Sequence, residues 1–166
     1  MNLSLIVAVA QNRAIGKNND LLWHISDDLK RFKQLTLGNP VIMGRNTYCS
    51  LPLRPLPKRR NIVLSTNPSF NPQGAEVARS LQQALEMICD EQQPFVIGGA
   101  SIYEMFLPYV QTLYITHVYA EFEADTFFPE FDTNSFQLSQ QSPRFSDPIS
   151  GLSYDFATYS RTCPCT

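Results

Sequence analysis

Short apolar runs alternate with segments of helical periodicity along the chain. Residues 3–10 form a nearly unbroken apolar run, which is typical of a strand covered on both faces in a parallel sheet. Similar runs predict further strands at residues 41–43, 62–64, 95–97 and 113–118, and one near a sheet edge at 154–159. Strands that alternate with helices are typical of an α/β fold.

Three segments between these runs are predicted helices. In the first, Ser26 is the expected N-cap, two aspartates follow in the first turn, and apolar residues recur at helical spacing until Gly38. The other two begin with capping-box sequences at Ser80 and Ser101, and we expect them to end near Asp90 and at Pro108.

The composition is that of an ordinary globular domain. The 166 residues fit one domain, 43% of them are hydrophobic, and the formal net charge is −2. That charge cannot supply the basic surface of a nucleic-acid-binding protein. The apolar run at residues 5–10 follows no basic segment and is too short to cross a bilayer, so we expect no membrane partner either.

No metal centre is expected. His24 and His117 are too few and too scattered for one, and the four cysteines have neither paired C-x-x-C spacing nor the density of a disulfide scaffold. We therefore interpret the cysteines as reduced thiols of a cytoplasmic protein, with Cys163 and Cys165 in a frayed tail.

Asp28 is the best single candidate for a functional residue. On a helical wheel it falls within the arc of Leu29, Phe32 and Leu35, which is the face expected to point to the core. A carboxylate there must be paired, protonated or reserved for a ligand, because an unpaired buried charge costs several kcal/mol. Stabilisation of a first-turn carboxylate by the helix N-terminus explains the position equally well.

Three segments that follow predicted strands are suited to phosphate. Gly98 and Gly99 precede a predicted helix, where adjacent glycines allow a close backbone approach to a pyrophosphate. A tight strand-to-helix turn explains this pair equally well. Residues 43–47 repeat the pattern with an added arginine, and residues 64–66 end a strand with two hydroxyls. Because ligands collect beyond the carboxyl ends of parallel strands, we expect the three segments to converge on one phosphate-bearing ligand. With no candidate nucleophile, this pattern favours a cofactor that carries the reaction.

An ordered set of motifs spans nearly the whole chain. It comprises SLIVAVA at 4–10, IG at 15–16, Trp23, DLKRFK at 28–33, PVIMGRNT at 40–47, RPLP at 54–57, Arg59, NIVLS at 61–65, IGGA at 97–100, Tyr103, LYITH at 113–117 and DTFFP at 125–129. In this order the motifs resemble the bacterial dihydrofolate reductases of the monomeric, chromosomal type.

The resemblance implies a fold and a reaction. The fold is a single domain over 1–166 with a twisted, mostly parallel eight-stranded sheet flanked by about four helices, and residues 39–90 form a possible adenosine-binding subdomain. The reaction is NADPH-dependent reduction of 7,8-dihydrofolate to tetrahydrofolate, by hydride transfer to pterin C6 and protonation at N5. Dihydrofolate and antifolates of the methotrexate and trimethoprim class are the implied ligands of a monomeric enzyme.

The resemblance also implies residue roles. Asp28 binds the pterin and favours its protonation, Thr116 supports that carboxylate, and Leu21 lies in the loop that closes over the nicotinamide. The other implied substrate contacts are Ile6, Val7, Ala8, Leu29, Phe32, Leu51, Arg59, Ile97 and Tyr103, with Arg59 on the glutamate α-carboxylate.

The implied cofactor contacts follow the motifs beyond the strand ends. They are Ala8, Ile15, Gly16, Leu21, Gly44, Arg45, Asn46, Thr47, Leu64, Ser65, Thr66, Arg79, Ile97, Gly98, Gly99, Ala100, Ser101, Ile102, Tyr103 and Thr126. Arg45, Ser65 and Thr66 suit the 2′-phosphate, so NADPH is expected to be preferred to NADH. In this family the Gly–Gly peptide is cis, which is therefore expected at 98–99.

Some residues depart from the family pattern, and two rival functions stay open. Leu21 and Leu22 stand where methionine and proline are usual, and Ala100 replaces a common glycine. One rival is a pyrimidine reductase of riboflavin synthesis, against which Asp28 and Phe32 on one helix argue. The other is a catalytically silent folate- or nucleotide-binding module, which the altered loop at Leu21 leaves open.

Overall fold

The structure is a computed structural model that describes residues 1–91 and 93–162. The strands are β1 (Ser4–Ala10), β2 (Ala14–Gly16), β3 (Val41–Gly44), β4 (Asn61–Leu64), β5 (Glu76–Ala78), β6 (Phe95–Gly98), β7 (Thr112–Val118), β8 (Thr126–Phe127), β9 (Phe136–Gln141), β10 (Phe145–Ser146) and β11 (Ser153–Arg161). The helices are α1 (Ser26–Thr36), α2 (Arg45–Ser50), α3 (Leu81–Met87) and α4 (Ala100–Phe106), and a 3₁₀ turn follows at Leu107–Tyr109.

One large sheet organises the molecule. Its strand order is β10, β11, β7, β1, β6, β3, β4 and β5, and β9 pairs with β11 at the same edge as β10. The pairs from β7 through β1, β6, β3 and β4 to β5 are parallel, whereas β11 is antiparallel to β7, β9 and β10. The predicted mostly parallel sheet of eight strands flanked by four helices is therefore confirmed, with the outermost position shared by two short strands. A separate small ladder joins β2 to β8.

The core explains the unbroken apolar runs. Successive residues of β3 alternate between two buried clusters: Ile42 packs with Leu3, Leu5 and other residues of one cluster, and Val41 packs in the other. Because helices cover both faces of the central strands, neither face can be polar. The predicted strands thus agree with the observed ones to within about two residues at each end.

The predicted N-cap at Ser26 is wrong. Helix α1 begins at Ser26 itself, and its N-cap is Ile25, which has no side-chain hydrogen bond to the helix. Ile25 is buried, and its carbonyl accepts a hydrogen bond from the Leu29 amide at 3.2 Å. The start of α1 is therefore fixed by apolar anchoring and backbone bonding rather than by a hydroxyl.

Of the two serines predicted to begin capping boxes, only Ser80 caps its helix. Ser80 Oγ accepts a hydrogen bond from the Gln83 amide at 3.1 Å, and Gln83 Oε1 accepts one from the Arg79 amide at 2.7 Å. In α4 the N-cap is Gly99, one residue before the helix begins, so the capping box at Ser101 is wrong. The Gly99 carbonyl already accepts hydrogen bonds from the amides of Ile102 and Tyr103, which closes the first turn without a side chain.

The helix ends also differ slightly from prediction. Helix α3 ends at Met87 rather than near Asp90, and α4 ends at Phe106, where the 3₁₀ turn containing Pro108 continues the chain. None of the described helices is long and apolar enough to cross a membrane. Cys49 and Cys89 are free and exposed, whereas Cys163 and Cys165 lie outside the described residues.

Ser80→Ala is expected to lower the free energy of unfolding by about 1 kcal/mol, since it removes a side-chain cap from a short helix. Ser101→Ala is the matched control, because that hydroxyl caps nothing, and its effect should stay within about 0.5 kcal/mol. Urea denaturation of the two variants beside the native protein measures both. Equal losses in the two variants would contradict the assignment of the caps.

Candidate active-site cleft

A cleft of about 1210 Å³ runs along the carboxyl ends of the parallel strands. It is bounded by α1 on one side, by the turns that lead into α2 and α4 on the other, and by the loop of residues 15–25. Every residue that the sequence analysis assigned to substrate or cofactor lines this one cleft. Parallel strands place their carboxyl ends at one edge of the sheet, which explains why segments far apart in sequence meet here.

Asp28 lies in the wall that α1 contributes. Its Oδ1 accepts a hydrogen bond from Thr116 Oγ1 on β7 at 2.6 Å, so the expected support of the carboxylate by Thr116 is present in the geometry. Oδ2 receives no hydrogen bond from any described residue. One oxygen is thus held by the protein while the other stays available to a ligand in the cleft.

Burial dominates the titration of Asp28. It raises the pKa of this carboxyl above the ordinary aspartate value, while the Thr116 hydrogen bond and the positive charge of Arg31 act in the opposite direction. Desolvation disfavours the charged form, whereas a donor and a nearby cation favour it. The net result is a carboxyl that holds a proton at a higher pH than an exposed aspartate does.

Part of the apolar face of α1 borders the cleft rather than a dry core. Leu35 packs against a core cluster, whereas Leu29 on the same predicted arc is 38% exposed. The expectation that this arc points into the core is therefore confirmed for Leu35 and wrong for Leu29. An exposed apolar wall beside a desolvated carboxyl is typical of a site that a flat, partly polar ligand covers.

Arg59 lies at one end of this wall. Its Nη1 donates to Thr36 Oγ1 at 3.1 Å and its Nε donates to the Pro57 carbonyl at 2.9 Å, so the side chain is held in place at the cleft. The guanidinium lies 6.0 Å from the ring centroid of Phe32. A fixed cation at the end of an apolar wall suits a ligand with a carboxylate at its far end.

Tyr103 closes the floor of the cleft. Its buried hydroxyl lies 2.9 Å from the Ile6 carbonyl and 2.8 Å from the Ile97 carbonyl, and it bridges β1 and β6 where the two strands end. Burial raises the pKa of Tyr103 well above the ordinary tyrosine value, so the phenol stays protonated. Tyr103 therefore acts as a neutral donor within the floor.

Two glycine-containing turns form the opposite half of the cleft. A Cβ on Gly44 would lie 3.0 Å from Ile102 Cγ1, and a Cβ on Gly99 would lie 3.4 Å from Thr47 Oγ1. The turns leading into α2 and α4 are therefore packed directly against each other. The Gly98–Gly99 peptide is cis, as expected, and Gly98 has a φ of 125°, which side chains rarely adopt.

Two arginines border this half of the cleft in different ways. Arg79 donates hydrogen bonds to the carbonyls of Ser65, Asn67 and Phe70, so it holds the loop that follows β4 in place. Arg45 is exposed, and its guanidinium lies 6.0 Å from the ring centroid of Phe70. Of the two, Arg45 is better placed to meet an anionic ligand.

The loop that borders the cleft mouth is tied down at its base. The Asn18 amide donates to Asp125 Oδ2 at 2.9 Å, and the Trp23 ring lies 5.1 Å from that of Phe122. Leu21 is 65% exposed at the mouth of the cleft. An exposed leucine beside an open cleft is a surface that a bound ligand would cover.

Several residues of the cleft were missed from sequence. Arg31 was not among the predicted site residues, yet it lines the wall beside Asp28, and Leu56 lines the cleft from a proline-rich loop. The i,i+3 spacing of Asp28 and Arg31 was a usable signal, since side chains at that spacing are neighbours on a helix. Leu56 carried no such signal, because its position depends on how the loop folds.

Comparisons with known proteins agree on one family. A family model described as dihydrofolate reductase matches residues 2–161. Dihydrofolate reductase type 3 of Salmonella typhimurium is 42% identical over 161 residues, which are 97% of this chain and 99% of that protein. The dihydrofolate reductase of Bacillus subtilis is 42% identical over 159 residues, which are 96% and 94% of the two chains.

A solved structure gives the same result. Dihydrofolate reductase from Enterococcus faecalis, complexed with NADP(H) and RAB-propyl, superposes with a TM-score of 0.92 at 33% sequence identity. The match covers 98% of this chain and 97% of that one. The similarity therefore extends over the whole sheet and both sides of the cleft.

Asp28→Asn is expected to stabilise the protein at neutral pH by on the order of 1 kcal/mol. Because its pKa is raised on folding, Asp28 contributes stability below the ordinary aspartate range and loses that contribution as pH rises through the folded value. The gain should therefore shrink as the pH is lowered. Urea denaturation across the acid-to-neutral range measures it.

The exposed Asp90 supplies the control for this prediction. Asp90→Asn should change stability by less than about 0.5 kcal/mol, because substitutions of exposed residues usually have small effects. A stability difference in Asp28→Asn that stays constant with pH would contradict the burial of the charge.

Proposed function

Because the chain belongs to the dihydrofolate reductase family, we propose that its cleft binds the pterin of 7,8-dihydrofolate against Asp28 and the cofactor against the two glycine turns. The protein is an NADPH-dependent oxidoreductase that reduces 7,8-dihydrofolate to tetrahydrofolate. The observation that carries the assignment of the substrate half is the desolvated Asp28 carboxyl held by Thr116 at 2.6 Å. Protein groups then bind, orient and supply a proton.

Asp28 has two tasks in this proposal. The carboxylate accepts a pair of hydrogen bonds from the pterin N3–H and 2-amino group, which fixes the ring in the cleft. The carboxyl also favours protonation at N5 through water, and its raised pKa brings its proton exchange closer to neutral pH. Thr116 orients the carboxyl for both tasks through its hydrogen bond to Oδ1.

The apolar walls and Arg59 orient the rest of the substrate. Leu29 and Phe32 from α1, with Leu51 and Ile97 across the cleft, would cover the pterin and the ring that follows it. Arg59 would bind the glutamate α-carboxylate, and its hydrogen bonds to Thr36 and Pro57 hold the guanidinium ready for a bidentate contact. Burial of the pterin against these walls excludes water from the reacting face.

The opposite half of the cleft fits a phosphate-bearing dinucleotide. Glycines 44, 98 and 99 line this half of the cleft, and Arg45, Ser65 and Thr66 supply a cation and two hydroxyls nearby. The cleft volume of about 1210 Å³ exceeds that of a site for one small ligand. When bound, NADPH supplies the hydride.

The residues beyond the glycine turns would select NADPH over NADH. Arg45 lies in α2 and Ser65 and Thr66 follow β4, so all three belong to the segment 39–90 that we propose as an adenosine-binding subdomain. Arg79 fixes the loop of Ser65 through its carbonyl contacts. A charge-assisted contact from Arg45 to the 2′-phosphate would supply the discrimination.

Further proposals follow from the same assignment. Leu21, at the exposed mouth of the cleft, would fold over the nicotinamide together with Ile15 and Gly16. Antifolates of the methotrexate and trimethoprim class would occupy the pterin half. We also propose a cytoplasmic monomer.

Of the two rival functions, the pyrimidine reductase does not agree with the family match. The catalytically silent module predicts ligand binding without turnover.

Asp28→Asn is expected to lower turnover at neutral pH by at least about a hundredfold, since it removes the proton source and weakens pterin binding. The assay is the loss of reduced-nicotinamide absorbance with and without dihydrofolate, with a methotrexate-inhibited control. Asp27→Asn is the matched variant, because Asp27 lies on the same turn but outside the cleft and accepts a hydrogen bond from Tyr154.

The outcomes of this assay separate the hypotheses. Asp27→Asn should retain most of its turnover. Near-native turnover of Asp28→Asn would remove Asp28 from its role. A native protein that binds NADPH but does not oxidise it with dihydrofolate would instead support the silent module.

Arg45→Gln is expected to lower kcat/KM with NADPH roughly tenfold to a hundredfold, because a charge-assisted hydrogen bond to the 2′-phosphate is lost. The kcat/KM with NADH should stay nearly constant, since NADH lacks that phosphate. Arg54→Gln is the control, because Arg54 lies outside the cleft. An unchanged ratio of the two kcat/KM values in Arg45→Gln would exclude this role.

A further inference from the structure

Three polar side chains of helix α1 contact strands β7 and β11. Asp27 Oδ2 accepts a hydrogen bond from Tyr154 on β11 at 2.9 Å, and Asp28 Oδ1 accepts one from Thr116 on β7. One turn later, the guanidinium of Arg31 lies 4.4 Å from the ring centroid of Phe156, which pairs with Thr116 across the two strands. The face of the sheet that holds Asp28 therefore also holds Arg31.

The aromatic contacts fix the position of the Arg31 charge. The guanidinium lies over Phe156 and is also 5.8 Å from the ring centroid of Tyr114, which shares a face of β7 with Thr116. A stacked, half-buried guanidinium has lost much of the rotamer freedom of a surface arginine. Its charge therefore stays beside the carboxyl instead of sampling solvent.

Arg31 and Asp28 interact without an ion pair. They are three residues apart on one helix and so are neighbours, yet no described contact within 4.0 Å joins their charged atoms. The Arg31 charge lowers the pKa of Asp28, and the Asp28 charge raises that of Arg31 against the effect of burial. Because no direct ion pair occupies Asp28, the carboxyl can be influenced by Arg31 and still bind a ligand.

The other titratable groups around Asp28 do not duplicate this effect. Tyr103 from α4 and Tyr154 from β11 both feel the Asp28 charge, and each is a neutral phenol with a raised pKa. Tyr114 on β7 stacks with Arg31, and Asp27 is turned toward Tyr154. Arg31 thus supplies the positive charge that favours the ionised form of Asp28.

We propose that Arg31 is a positioning residue for the reaction, whose charge sets the proton affinity of Asp28 and so the pH above which N5 protonation fails. The proposal rests on the role of Asp28 proposed above. By favouring the carboxylate, Arg31 strengthens the paired hydrogen bonds to the pterin but makes the proton easier to lose. The contact with Phe156 holds the Arg31 guanidinium in place and so sets the size of both effects.

A direct titration tests the charge effect without substrate. The ligand-free native protein, Arg31→Gln and Arg31→Lys are labelled with ¹³C at the aspartate side-chain carboxyls, and the Asp28 signal is assigned by its loss in Asp28→Asn. We expect the titration midpoint of Asp28 to lie at higher pH in Arg31→Gln and near the native value in Arg31→Lys. A structural role alone would leave the midpoint in place.

Single-turnover hydride transfer provides the second readout. As pH rises, the native rate should fall at a lower pH than the rate of Arg31→Gln. At alkaline pH, the fraction of its acid-pH rate that the variant retains should therefore be about three times the fraction that the native protein retains. Arg31→Lys should follow the native profile. If Arg31→Gln does not fold, Arg31→Met replaces it, because its aliphatic chain retains contact with Phe156.

Three results would overturn the proposal or locate its failure. An Asp28 midpoint that is the same in native protein and Arg31→Gln excludes the charge effect. A midpoint that moves as far in Arg31→Lys as in Arg31→Gln shows that stacking, not charge, matters. A pH-dependent rate that persists in Asp28→Asn refutes the role of Asp28 as proton source. In that case, the carboxyl titration still decides whether the Arg31 charge shifts the titration midpoint of Asp28.

Discussion

The packing of helix α1 across strands β7 and β11 is the constraint on which the cleft depends. It places a carboxyl against Thr116 with one oxygen bound and the other facing the cleft. Ile25 anchors the first turn in a small cluster with Val118 and Tyr154, so the position of Asp28 is fixed by apolar burial immediately before it. Desolvation of this charge raises the pKa of Asp28, which is the property that the proposed reaction requires.

The sheet topology explains why this helix can serve a cleft at all. The parallel strands β1, β3, β4 and β6 end along one edge, and each continues into a loop or helix that lines the cleft. The antiparallel β11 then adds a neighbour to β7, so that Tyr154 and Phe156 face the same helix as Thr116. Without that neighbour, Asp27 would lack its hydrogen bond to Tyr154 and Arg31 its contact with Phe156.

The sequence predicted the buried half of the structure better than the exposed half. Strands covered on both faces must be continuously apolar, so residues 95–97 and the other central strands of the sheet could be recognised as strands from the sequence. Strand β9 (Phe136–Gln141) is mostly polar and exposed, and its pairing with β11 depends on contacts that local sequence does not encode. The start of α4 was misplaced because a backbone carbonyl, at Gly99, closes the turn that a serine was expected to cap.

The candidate site shows the same limit. Periodicity singled out Asp28 but left two explanations equal, and the contact with Thr116, 88 residues further along the chain, distinguishes them. Arg31 was not predicted as a site residue because it lies outside the apolar arc of the helical wheel. In the structure, its long side chain reaches Phe156 at the boundary of the two faces.

The two halves of the cleft rely on different parts of the chain. The Asp28 half uses side chains whose charge depends on burial and on neighbours, so a substitution there changes chemistry while leaving the fold in place. The glycine half combines side chains such as Arg45 with closely packed backbone, and a Cβ at Gly44 would lie 3.0 Å from Ile102 Cγ1. Substitution there would separate α2 from α4 before it altered any charge.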